Sequence, residues 1–182
     1  MSKQKRINPR RVPLSKGNAV REQIIERASR GNSVYAWILV LHSMLFHVAK
    51  SDEERLRVWN VADSVRVRES LDLKNIRAAE DIMGLRYPYP NLAKQQIASL
   101  GDAVVYERKA KENALFFGLC AIALGLQATG AYDGEQMHRI FSNADLTLAE
   151  IEQGSTTYEN LAKEIEESGQ EVGWTSSINL TT

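Results

Sequence analysis

The chain has 182 residues, 43% hydrophobic and 25% charged, with 23 Lys+Arg balancing 23 Asp+Glu for a formal net charge of zero. That composition fits one ordinary folded domain or two small ones and excludes a disordered chain. The single cysteine, Cys120, excludes an intrachain disulfide and a zinc site built on several cysteines. It lies in the apolar run LFFGLCAIALGL and is expected to be a buried, inert thiol in a protein of a reducing cytoplasm.

The neutral total conceals a polarity. Residues 1–30 carry nine cations against Glu22 and Glu26, whereas residues 131–182 carry ten acids against Arg139 and Lys163. A basic head and an acidic tail are the first functional clue. The first sixteen residues, with Pro9 and Pro13, are expected to form an extended basic arm. No apolar core follows this basic start, so no secretory signal is expected. Then GNAVREQIIERASR places Val20, Ile24, Ile25 and Ala28 on a short amphipathic helix ended near Gly31. Residues 33–49 are almost wholly apolar and predict a central helix.

Ser51 and Glu54 form a capping box that opens a helix with Leu56, Trp59 and Ala62 inward, widened by Val58, Val61 and Val65. Asp72 caps the next, which carries Ile76, Ala79 and Met83 and stops at Gly84. LRYPYPN holds two prolines in three residues, a linker. Residues 91–109 predict an amphipathic helix with Ile97, Leu100, Val104 and Val105 inward, and 111–128 an apolar central helix. Asp133 and Gln136 are spaced as a capping box for the helix over MHRIFSNAD. Thr156 and Glu159 are spaced likewise for a last helix ended by Gly169, and a polar tail holds Trp174. The apolar stretches 34–49 and 114–128 hold 16 and 15 residues, short of the ~20 that cross a bilayer, so no membrane partner is expected.

The order of elements repeats. RVWNVAD at 57–63 answers RIFSNAD at 139–145: Trp59 and Phe141 lie 82 apart, as do Asp63 and Asp145, while Asn75/Asn160 and Gly84/Gly169 lie 85 apart. The change of offset falls at EIEQGS, where the second copy has a longer turn. This predicts an all-α protein made by tandem duplication of a four-helix unit. Its parts are a basic extended arm (1–16), helical unit one (17–84), a Pro-containing linker (85–91), helical unit two (92–169) and a polar tail (170–182).

Catalysis finds little support in the residues. His42 and His47 are five apart and do not share a face of an α-helix, and His138 stands alone. No phosphate loop, dinucleotide fingerprint or nucleophile elbow is present. The expectation is a non-enzyme with no cofactor, no metal and no small-molecule substrate. Nucleic-acid contact is favoured by Lys3, Lys5, Arg6, Arg10, Arg11 and Lys16, since an extended cationic arm follows a phosphate backbone. Such contacts are mostly blind to sequence, so double-stranded DNA is the candidate ligand. Glu159, Glu164, Glu166, Glu167 and Glu171 form an acidic face around the last helix, suited to a protein site built for nucleic acid.

KRINPRRVPLSK, the Ala-Trp-apolar stretch YAWILVL and the helix containing RVW resemble small proteins of phages and prophages of Gram-positive, especially clostridial, bacteria, which open with a basic INPRR arm. The resemblance covers residues 5–84 and, more weakly, 111–169. It carries no catalytic residues to transfer. In size and arm the chain is also similar to anti-CRISPR proteins of phage origin. That similarity implies a non-enzymatic inhibitor in the host cytoplasm that binds a type II CRISPR effector nuclease with its guide RNA, with DNA contact through the arm. A phage DNA-binding transcription regulator and an oligomeric phage structural protein are the competing expectations.

Overall fold

The computed structural model describes residues 14–64, 71–86, 92 and 95–168, less the side chains of 14–17, 63 and 64. Regular structure among them is helical: α1 (Leu14–Ser43) running into a π-turn (Met44–Val48), α2 (Asp52–Ser64), α3 (Leu73–Met83), α4 (Leu100–Thr129), α5 (Gly134–Glu152) and α6 (Tyr158–Glu167). The all-α expectation holds. The linker prolines Pro88 and Pro90, Gly169 and Trp174 lie outside the described residues.

Helix boundaries correct the expectation in two places of one kind. α1 starts inside the expected arm and passes through Gly31 without a break. A glycine inside a helix costs about 1 kcal/mol, and packing on both sides of it outweighs that cost. Ala28 is 2% exposed and Ala36 fully buried, while Asn32 and Ser33 donate to the carbonyls of Ala28 and Ser29 one turn back. Likewise the two helices expected over 91–109 and 111–128 are one helix, and it begins only at Leu100. Ser99 caps it by accepting the Asp102 amide at 3.1 Å. Among the described residues each half of the chain therefore contributes three α-helices, one long, one intermediate and one short, in place of the four expected.

Three smaller corrections concern faces and caps. Leu100 and Val104 are each 68% exposed, and Val105 is exposed too; the buried side of that turn is Tyr106, Ala110 and Asn113. Leu56 is likewise exposed, whereas Val58 and Ala62 of α2 are buried as expected. Thr157, not Thr156, caps α6, accepting the Asn160 amide at 3.2 Å. The other capping expectations hold. Glu54 and Ser51 bond reciprocally, as do Asp133 and Gln136. Asp72 accepts from the Asn75 amide at 2.7 Å, and α3 ends on left-handed Gly84.

The long helices α1 and α4 form the spine. Arg21 bonds the Tyr106 hydroxyl and the Leu92 carbonyl, and fifteen residues on, Ala36 meets Gly118. Contacts that advance together along both helices make them parallel. A Cβ on Gly118 would sit 2.8 Å from the Ala36 Cβ, so the missing side chain permits this close crossing. The shorter helices then pack across the halves. α5 and α6 lie on α1, and α3 lies on α4. One core results, taking Leu39, Leu41, Met44 and Met83 from the first half and Ile122, Leu126, Ile140, Phe141 and Ile165 from the second. α4 is the one described helix long and apolar enough to cross a membrane by length and composition, and 44% of that stretch is buried within this fold.

Candidate functional site

The distinctive local geometry is the π-turn that ends α1. The Ala49 amide reaches back to the Met44 carbonyl at 3.0 Å, five residues away instead of four. A wider turn of this kind is rare and recurs at functional sites. It overturns the expectation for the histidines. Across the widened turn the rings of His42 and His47 come within 6.2 Å, edge to face. Phe46 lies tilted against His42, ring centroids 4.7 Å apart, and remains 42% exposed, a large aromatic left at the surface.

His42 is held from the far end of the chain. Its Nε2 lies 2.8 Å from Glu164 Oε2 on α6. With Nε2–H donated to the carboxylate, Nδ1 is a buried acceptor without a hydrogen-bond partner. Ser43 adds a buried bond to α5, its hydroxyl donating to the Ile140 carbonyl at 2.6 Å. His47 is exposed beside them. Partial burial and the neighbouring His42 hold its pKa below the usual histidine value, against the opposing pull of Glu150. Two helices of the second half thus fix the turn made by the first.

The expected acidic face can be followed through Glu159, Glu164, Glu166 and Glu167. All four are exposed on α6, which turns Leu161, Ala162 and Ile165 inward. They are not equivalent. Glu164 is committed to His42, and Glu167 has Lys163 at 3.5 Å. Glu150 and Glu152 extend the face at the end of α5. Glu171 lies outside the described residues, as do Lys3, Lys5, Arg6, Arg10 and Arg11; Lys16 is in α1 but its side chain is outside them.

Elsewhere the chemistry is structural. Cys120 is fully buried, and burial together with Glu80 pushes its thiol up to about 12, so it is not a thiolate near neutrality. A groove of about 310 Å³ between the long helices is lined by Ser29, Ser33, Leu71, Ala114, Phe117, Gly118 and Ala121. None of these is an acid, a base or a thiol, and the Ser33 hydroxyl donates to the Ser29 carbonyl. His138 sits over the end of α3, its Nδ1 3.3 Å from the Met83 carbonyl, in the manner of a helix C-terminal partner. No cluster of three or more metal-ligating side chains occurs among the described residues. No family model matches the chain, and no curated protein or solved structure matches it.

Proposed function

We propose that the chain is a non-enzymatic, phage-derived binding protein that inhibits a type II CRISPR effector nuclease by occupying its basic, nucleic-acid-binding surface. The observation that carries this reading is the exposed carboxylate face of α6, Glu159, Glu166 and Glu167 with Glu150 and Glu152 beside them, mounted on a helix whose other side is anchored in the core. Rigid negative charge of this kind competes with a phosphate backbone for a positive channel. The basic arm, with Arg6, Arg10 and Arg11, supplies phosphate contacts to DNA or guide RNA in the same complex.

The reading includes a tandem duplication. Ala36 faces Gly118, its counterpart 82 residues on, across the two parallel helices. The capping boxes Ser51/Glu54 and Asp133/Gln136 keep the same offset, and the caps Asp72/Asn75 and Thr157/Asn160 lie 85 apart. These correspondences support a unit of one long, one intermediate and one short helix used twice, its copies paired as in a parallel dimer.

A pull-down of the tagged protein against a purified type II nuclease, with and without guide RNA, tests the function. Capture is expected, weakened by the triple change Glu159→Gln, Glu166→Gln and Glu167→Gln. Replacing Arg6, Arg10 and Arg11 with Ala is expected to flatten the salt dependence. Absence of capture in either state, with salt-sensitive binding to a DNA duplex instead, replaces this reading with that of a phage DNA-binding protein.

A further inference from the structure

We infer that the π-turn patch, Phe46 with Glu164 next to it through His42 and Glu150 near His47, is a docking point for an arginine-bearing basic segment of a partner protein. The inference deepens the proposed function by naming where on the acidic face the partner is gripped and by which side chain. Apolar surface and negative charge meet here. Phe46 is 42% exposed on the π-turn, and Leu146, on α5 one turn before Glu150, is 63% exposed. Glu164 stands next to Phe46 through His42, which touches both. Glu150 is near enough to His47 to act on its charge. Asp52 and Glu53 follow in the first turn of α2, and Lys50 is the one cation in the stretch 46–54.

A guanidinium suits this combination better than an ammonium. Its plane stacks on an aromatic face while its edge pairs with carboxylates. The turn has the rigidity such a contact needs, because Ser43 and His42 tie it to α5 and α6.

The test uses the full-length protein and two short synthetic peptides, one rich in arginine with a leucine and its lysine counterpart. Affinities are measured by titration for the unmodified chain, Phe46→Ala, Glu150→Gln and, as a control, Glu159→Gln, with circular dichroism to verify folding. The arginine peptide is expected to bind several-fold more tightly than the lysine peptide. Phe46→Ala should abolish that preference and weaken binding about five- to tenfold; Glu150→Gln should weaken both peptides, and Glu159→Gln neither. Equal binding of both peptides, unchanged by Phe46→Ala, overturns the patch and leaves only diffuse acidic attraction. Nuclease capture undiminished in Phe46→Ala overturns the patch while sparing the proposed function. A patch that discriminates arginine without any nuclease capture does the reverse. Tight binding of a peptide of residues 1–13, with a concentration-dependent mass, makes a second copy the occupant and overturns the assignment to a different protein.

Discussion

Two glycines in the long helices have opposite effects on stability. Gly31 has nothing within 4 Å of where a Cβ would stand, whereas a Cβ on Gly118 would meet Ala36. Gly31→Ala therefore gains helix propensity at no steric cost and should stabilise by about 0.5–1 kcal/mol. Gly118→Ala pushes two packed helices apart and should destabilise by about 1–3 kcal/mol despite the same gain in propensity. Urea midpoints of the two variants, moving in opposite directions, are the check. Glu80 makes a second case. It is a buried carboxylate whose partner, Arg86, reaches in from the surface at 3.2 Å and also bonds Asp81 at 2.7 Å. Removing the cation leaves the buried charge behind, so Arg86→Ala should cost about 1–3 kcal/mol. The double change with Glu80→Ile should recover most of that loss, because an apolar residue of similar volume needs no partner. Isoleucine is what the chain carries 85 residues on, as the fully buried Ile165. If the double variant is no more stable than Arg86→Ala alone, the Glu80 charge is not what that change exposes.

Most caps were legible from local chemistry, and helix faces only in part: Ile76, Ala79 and Met83 are buried as expected, whereas Leu56, Leu100 and Val104 are exposed. Ser51/Glu54, Asp133/Gln136, Asp72 and Gly84 each bond or turn as their types and spacing require, because a cap is settled within four residues. The break expected at Gly31 failed because the cost of one glycine is smaller than the burial of Ala28 and Ala36 on either side of it. Leu100 and Val104 were misassigned to the core because burial at that end of α4 is decided by α1, whose Arg21 lies over the Tyr106 ring at 5.6 Å. The π-turn was invisible because α-helical spacing separates His42 from His47. Only the bonds of Ser43 to Ile140 and His42 to Glu164, 97 and 122 residues apart in the chain, mark that place. The turn has its own pH signature. The folded state holds His47 below its ordinary pKa, so the unfolded chain binds more protons between that lowered value and about 6.5. Its contribution is complete above about 6.5 and is lost as pH falls through that window. Thermal midpoints should drop from pH 7.5 to 5.5, and His47→Gln should shrink the drop. An unchanged slope in that variant would assign the pH response to other groups.

At the scale of the molecule the question is whether the two halves of the chain behave as two domains or one. Similar segments at offsets of 82 and 85 could be read from the sequence. How they pack could not, because similarity between segments does not say which of them touch. In the structure α1 is covered by α5 and α6, and α4 by α3, so neither half keeps its own core. A shared core must be lost at once. Trp37 and Trp59 both lie in the first half and pack against that core, so once the third tryptophan is replaced, Trp174→Phe, fluorescence reports on the first half while far-UV circular dichroism reports on all the helices. Urea unfolding followed by the two probes should give coincident transitions. Leu161→Ala, a truncation deep in α6 of the second half, should cost about 2–5 kcal/mol and shift the fluorescence and dichroism midpoints by the same amount. Separated transitions, or a fluorescence midpoint unmoved by Leu161→Ala, would mean that the halves fold independently. The π-turn would then lose the support from α5 and α6 on which the proposed docking role depends, because a turn held by the opposite half is only as rigid as the packing between them.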